Sequence, residues 1–250
     1  MIISDKKVEL ARRGNKVVYD DGDRIIKVFN DTKPASDVFN EALNFARVEE
    51  SGIATPKILE VSKAPEGWAL ATEKVPGCTL ASKMETDGFE AHLEEFVDLQ
   101  LSIHAHKSPL LPRQKDKYAR MIEGLDSIDA STRYELQMRL DGMKAHDKVC
   151  HGDYNPTNVI VGDDGKLYVC DWAHATQGNA SADAAMSYLL LAIDDEDKAK
   201  AYLDMYCTKS DTPRQLVHQW LSIVAASELA RHRKVNEEFL MRWIDVADYQ

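Results

Sequence analysis

Along the first third of the chain, apolar and polar residues alternate in short bursts, the signature of half-buried strands. Lys16-Val-Val-Tyr19 and Arg24-Ile-Ile-Lys-Val-Phe29 flank Asp20-Asp-Gly-Asp23, an Asp-Gly turn of the kind that closes a hairpin. Residues 35–50 predict a helix with Phe39, Ala42, Leu43 and Ala46 on one face, ended by Gly52 and Pro56. Two further strands follow, over 57–61 and 68–73, joined by a Pro-Glu-Gly turn. With a further strand ahead of the hairpin, the order up to residue 72 reads β-β-β-α-β-β.

Beyond Pro76-Gly77 the period lengthens to that of helices. Asp87 is placed to cap a helix carrying Phe89, Leu93, Phe96, Gln100 and Ile103. Thr212 and Pro213 open another through Leu216, Trp220, Ile223 and Leu229, and Asn236 opens a last one with Phe239, Leu240 and Trp243. One β episode interrupts them, at 148–151, 158–161 and 167–171, with Gly162-Asp-Asp-Gly165 turning the last two into a hairpin. The pattern predicts an α+β protein: a sheet lobe over 1–72, a hinge over 73–77 and a mainly helical lobe over 78–250. A cleft at the hinge is the expected place for a ligand.

Composition narrows the field. The 250 residues, 44% hydrophobic and 29% charged, suffice to bury a core without staples. The start lacks the apolar stretch of a signal peptide. The most apolar run, Tyr188-Leu-Leu-Leu-Ala-Ile193, is far short of the roughly 20 residues that cross a bilayer. A cytoplasmic protein with no membrane partner, read as a monomer, is the expectation. Cys78, Cys150, Cys170 and Cys207 show neither a CxxC pair nor metal-ligand spacing, which suits reduced, buried thiols. His104 and His106 have no third ligand nearby in sequence, so packing or helix-end hydrogen bonding is expected of them. A net charge of −11 repels nucleic acid and suits a cationic substrate.

The chemistry lies in His151-Gly-Asp153-Tyr-Asn-Pro-Thr-Asn158 and, at the far end of the hairpin, Asp171-Trp172. Phosphoryl transfer needs groups that hold metal, a carboxylate that orients the attacking hydroxyl, and a cation on the other phosphates. Asp153 and Asn158 bracket a tight loop, and the hairpin returns Asp171 to the same edge. Their oxygens are the donors Mg²⁺ prefers. Turn residues alone would explain Gly-Asp and Asn-Pro-Thr-Asn, but not Asp171 together with an upstream strand lysine. Lys27 shares a strand face with Ile25 and Phe29, and a buried lysine needs a carboxylate.

These motifs resemble the aminoglycoside phosphotransferase and choline kinase superfamily, whose fold is similar to that of protein kinases. His-Gly-Asp and Asp-Trp stand where protein kinases carry His-Arg-Asp and Asp-Phe-Gly. The resemblance runs from about residue 10 to the last helix and implies a two-lobed, protein-kinase-like fold. It implies ATP, or GTP, as co-substrate, Mg²⁺ as cofactor, and a small hydroxylated acceptor. By the same resemblance Asp153 is the catalytic aspartate, while Asn158 and Asp171 are metal ligands. Lys27 contacts the phosphates and Glu41 holds it in place. The carbonyl of Glu73 and the amide of Val75 meet the adenine, and Asp183 braces the catalytic loop. One feature departs from the pattern: the phosphate-covering stretch Ala11-Arg-Arg-Gly-Asn-Lys16 has a single glycine, leaving Arg12, Arg13 and the amides near Gly14 and Asn15 for the triphosphate.

Carboxylates in the second lobe, Asp194-Asp-Glu-Asp197, Glu228, Glu237, Glu238 and Asp245, suggest an acceptor that bears an amine, such as an aminoglycoside or amino-alcohol, with Asp195 and Glu228 as its partners. Sugar and hydroxy-amino-acid acceptors are alternatives. A protein kinase is disfavoured because only residues 173–182 separate Asp171-Trp172 from the next helix. A non-catalytic nucleotide-binding module is disfavoured because Lys27, Glu41, Asp153, Asn158 and Asp171 are all present.

Overall fold

The computed structural model describes residues 1–231 and 236–244. In chain order the elements are β1 (Val8–Arg13), β2 (Lys16–Asp20), β3 (Arg24–Phe29), α1 (Ala35–Glu50), β4 (Ile58–Ala64), β5 (Gly67–Glu73), β6 (Gly77–Thr79) and α2 (Leu80–Asp87). Next come α3 (Phe89–His104), α4 (Gln114–Glu123), α5 (Ala130–Gly142), β7 (Lys148–Cys150), β8 (Val159–Gly162), β9 (Leu167–Val169) and β10 (Thr176–Gly178). The chain closes with α6 (Ala180–Asp194), α7 (Glu196–Ser210), α8 (Arg214–His218), α9 (Leu221–Leu229) and α10 (Glu237–Ile244). None of the described helices is long and apolar enough to cross a membrane.

Two compact units divide this α+β chain: Met1–Lys83 with Thr157–His174, and Met84–Pro156 with Ala175–Gln250. The sequence pattern places the first boundary at residue 72 and assigns the 158–171 hairpin to the second lobe. In the structure that hairpin belongs to the first unit, in a separate three-stranded sheet where β8 pairs with β6 on one side and β9 on the other. Gly77 makes the close approach possible. Its φ is 147°, and a Cβ there would lie 2.1 Å from the Val161 carbonyl oxygen.

The larger sheet of the first unit is antiparallel, in the order β1-β2-β3-β5-β4. Pairing of Lys16 with Phe29, Val18 with Lys27 and Lys27 with Leu70 puts these side chains on one face. There Phe29 and Leu70 pack with Val38 and Ala42 of α1. Val17, Tyr19, Ile26, Val28, Ala69 and Ala71 form the opposite face, covered in part by Met1, Ile3 and Ala64. The buried stripe of α1 is Val38, Glu41, Ala42, Phe45 and Val48, shifted one residue from the face expected from the sequence. Phe39 and Leu43 are 46% and 47% exposed. Phe39 meets the edge of Trp68 at a centroid distance of 4.8 Å. A stripe led by the largest apolar residues would have turned Glu41 away from Lys27.

The second unit is mainly helical, with β7 and β10 as a two-stranded sheet. Gly88, with φ of 97°, rather than Asp87 precedes α3, and it makes no side-chain cap. Asp87 instead pairs with His92 at 2.9 Å. The helix expected from 212 to 229 is two helices, α8 and α9, interrupted at Gln219-Trp220. Buried Trp220 lies 6.4 Å from the ring of Tyr118 on α4. Cys78 is exposed, against the buried thiol expected there, whereas Cys150 is buried and Cys170 and Cys207 are half-buried.

Candidate active site

In the first unit β3 carries Lys27 to the α1 face. Its Nζ donates to Glu41 Oε1 at 2.9 Å and lies 2.9 Å from Asp171 Oδ1. Burial alone would push the Lys27 ammonium down, but Asp171 and Glu41 outweigh it and raise its pKa. Glu41 is 2% exposed and comes from the stripe of α1 that packs on the sheet.

Asp171 has a second ammonium partner, Lys16 Nζ, 3.0 Å from Oδ2. Burial would raise this carboxyl, yet the two lysines hold it well below the usual carboxylate range. Its backbone is left-handed, with φ of 63°, a conformation uncommon outside glycine. The surroundings fix that turn. The next residue, Trp172, is fully buried, and its Nε1 donates to the Val169 carbonyl at 3.0 Å and to Thr55 Oγ1 at 3.1 Å. Backbone strain of this kind, maintained by packing, is characteristic of functional positions.

Asn158 stands just before β8 and Asp171 just after β9. Val159 is opposite Val169, and the Cys170 amide donates to the Asn158 carbonyl at 2.8 Å. The two are neighbours across the hairpin. A carboxylate and a side-chain amide oxygen are hard donors that suit Mg²⁺. The two ammonium groups surround that carboxylate with positive potential, so it stays ionised and able to hold a cation. Glu73 ends β5, with its amide donating to the Lys57 carbonyl at 2.8 Å, and Val75 is half-buried two residues on.

In the second unit β7 leads into His151-Gly-Asp153. Gly152 has φ of 74°, so the chain turns here through a conformation that glycine adopts freely. Asp183, in the first turn of α6, receives the His151 amide at 3.1 Å and the Gly152 amide at 2.6 Å. His104 Nε2 lies 3.0 Å from the same carboxylate. Burial would raise Asp183, but His104, then His151 and the Gly152 amide, hold it below the ordinary range. Asp183, His104 and buried Cys150 come within 4.8 Å of one another. Since the Asp183 oxygens are taken up by the loop amides and His104, the cluster serves as a brace. His106 Nδ1 meets the Ser102 carbonyl at 2.8 Å at the end of α3.

Asp153 is 6% exposed. Its amide donates to His151 Nδ1 at 3.1 Å, and Asn155 Nδ2 donates to its carbonyl at 2.9 Å. Beneath the loop, the Tyr154 hydroxyl donates to the Phe96 carbonyl at 2.7 Å while the two rings stack. Arg231, at the end of α9, donates through Nη2 to the Gly152 carbonyl at 2.6 Å. Its Nη1 lies 3.3 Å from Asp153 Oδ1 and 2.8 Å from Glu228 Oε2. Lys117, on α4, has its pKa pushed down to about 7 by burial and then by Arg231.

Of the two carboxylates expected to hold an acceptor, Glu228 shares the Arg231 guanidinium with Asp153, whereas Asp195 is engaged at the start of α7. Glu228 is paired to Arg231, and Asp195 caps α7 by accepting from the amides of Asp197 at 3.0 Å and Lys198 at 3.1 Å. Arg12 pairs with Glu9 at 2.6 Å beside the single-glycine turn. Asp245 lies outside the described residues. Lys16 and Arg231, which no motif singles out, also meet the site carboxylates, Asp171 and Asp153. For Lys16 the available signal was strand parity, since it falls on the face of Lys27; for Arg231 it was an i,i+3 spacing from Glu228.

The profile of the phosphotransferase enzyme family matches residues 14–216. No curated protein matches the chain. Among solved structures, a thermostable variant of aminoglycoside phosphotransferase APH(4)-Ia, in a ternary complex with AMP-PNP and hygromycin B, is similar with a TM-score of 0.71 at 13% identity. The match covers 96% of this chain and 90% of that one. The choline kinase LicA from Streptococcus pneumoniae is similar with a TM-score of 0.66 at 15% identity, over 96% and 92% of the two chains. An aminoglycoside-3'-phosphotransferase of type VIII gives 0.62 at 18% identity, over 88% and 93%.

Proposed function

We propose that this chain, which belongs to the phosphotransferase enzyme family, transfers the γ-phosphoryl group of ATP, or of GTP, to a hydroxyl of a small acceptor. The observation that carries the reading is Lys27, enclosed between Glu41 and Asp171, with Asn158 beside Asp171 across the hairpin. A lysine so placed supplies the cation for the non-transferred phosphates. Asn158 and Asp171 would hold Mg²⁺ bound with the nucleotide, which offsets charge on its phosphates. The Glu73 carbonyl and Val75 amide are the proposed partners of the base.

In the reaction the acceptor oxygen attacks the γ-phosphorus, the bond to the β-bridging oxygen breaks and the nucleoside diphosphate leaves. The hydroxyl proton passes to the Asp153 carboxylate. Asp183 contributes by fixing the loop amides, and the left-handed Gly152 turns the chain so that Asp153 follows at once. The acceptor is defined by its hydroxyl. An amine held by Glu228 or Asp195 would compete with Arg231 and with the amides of α7, so those two carboxylates do not favour an amine-bearing acceptor over a sugar or hydroxy-amino acid. A net charge of −11 speaks against nucleic acid as acceptor.

The test is nucleotide turnover with Mg²⁺ against a panel of small hydroxyl compounds, on the parent and on Asp153→Asn. Turnover should fall about 10²-fold or more in the variant, as losses of a general base do, with AMP-PNP affinity unchanged. Undiminished turnover removes Asp153 from the role. AMP-PNP binding without turnover on any acceptor favours the non-catalytic module.

A further inference from the structure

Lys16 opens β2, where pairing with Phe29 sets it on the same sheet face as Lys27. Strand geometry separates two such positions by about 6–7 Å along the sheet. Both ammonium groups nevertheless converge on one carboxylate, Lys27 on Oδ1 of Asp171 and Lys16 on Oδ2. The side chains of Lys16 and Asp171 are 16% and 18% exposed. The two ends of this arrangement are unequal. Lys27 is also held by Glu41 at 2.9 Å, whereas Asp171 is the one hydrogen-bonded partner of the Lys16 ammonium among the described residues.

The cluster of Lys16, Lys27, Glu41 and Asp171 is neutral as it stands. A divalent cation arriving at Asp171 adds two positive charges and takes a carboxylate oxygen that an ammonium group now occupies. One lysine must yield, and the lysine without a second carboxylate is Lys16. Its flexible four-carbon stem lets the ammonium swing without moving the strand. Lys16 also stands at the turn between β1 and β2, close in the chain to Arg12, Arg13 and Gly14. This turn has one glycine, so few backbone amides are bare of side chains there, and phosphate contacts fall to side chains instead.

We propose that Lys16 is a second phosphate-binding residue of the nucleotide site, resting on Asp171 in the free protein and exchanging that carboxylate for the phosphates of the bound nucleotide. The inference rests on the reading of Asp171 and Lys27 as parts of a nucleotide site. It assigns Lys16 the contact that the glycine-poor turn does not make.

Isothermal calorimetry with AMP-PNP and Mg²⁺, and separately with adenosine alone, tests it on the parent, Lys16→Met and Lys16→Arg. A charged hydrogen bond to phosphate is worth about 10- to 100-fold in affinity. Lys16→Met should lose that much for AMP-PNP with Mg²⁺ and nothing for adenosine, while Lys16→Arg keeps most of the affinity. Unchanged AMP-PNP affinity in Lys16→Met overturns the proposal. Tighter binding does so as well, because Lys16 would then only compete with the metal. An equal loss for adenosine overturns it in favour of a folding role. A parent that binds neither probe refutes the nucleotide site itself, and the proposal falls with it.

Discussion

Replacing Arg231 by methionine should destabilise the protein more than any other loss of a single charge around the Asp153 loop. The guanidinium is 6% exposed and touches three groups at once: the Gly152 carbonyl, Asp153 Oδ1 and Glu228 Oε2. Glu228 is 2% exposed, so solvent screens the pair little. Breaking such a buried pair costs about 3–5 kcal/mol, because a charge is left behind without its partner. The Gly152 carbonyl loses its donor as well, but the contributions share one side chain and do not simply add; about 4 kcal/mol is a fair central figure. For a chain of this size each kcal/mol moves the thermal midpoint by about 2–4 °C, so Arg231→Met should melt about 8–16 °C lower. Arg231→Met combined with Glu228→Gln removes the stranded charge and should recover more than half of that. Circular dichroism melts of the parent, the single and the double variants decide the matter. A single variant within about 2 °C of the parent, a shift worth less than about 1 kcal/mol, refutes the reasoning. A double variant no better than the single one places the cost elsewhere than in the uncompensated carboxylate.

Asp183 is held below the ordinary carboxylate range, and a depressed carboxyl contributes stability that is present above its unfolded value and lost as pH falls through its folded one. Asp183→Asn should therefore be less stable than the parent at pH 7, with the gap closing below about pH 4; urea midpoints that differ by a constant amount across that range contradict it. Gly77→Ala forces a Cβ to within 2.1 Å of the Val161 carbonyl oxygen at a φ of 147°. It should cost about 2–4 kcal/mol through the pairing of β6 with β8, and an unchanged urea midpoint would show that the two strands part at little cost.

What the sequence made legible is what short-range chemistry encodes. The His-Gly-Asp turn needs glycine at a left-handed position. The hairpin from 159 to 169 needs its Gly-Asp-Asp-Gly turn, and Lys27 needs alternation along β3. All three are written within a few residues of the groups they place. The face of α1 was harder, because Phe39 and Leu43 are larger than the Val38 and Ala42 that are buried in their stead. The choice is made by the sheet. Val38 and Ala42 close on Phe29 and Leu70, and that phase alone points Glu41 at Lys27. Lys16 and Arg231 lie at the far limit of legibility, since their partners are 155 and 78 residues away. Both are cations set against the carboxylates that the motifs singled out. A sequence motif names the acid that does chemistry, whereas the base that balances it comes from wherever the fold supplies one. In a chain with net charge −11, the cations that are buried are accordingly the more informative residues, because each must find a carboxylate inside the protein. Lys16 and Lys27 lead back to Asp171, and Arg231 leads back to Asp153.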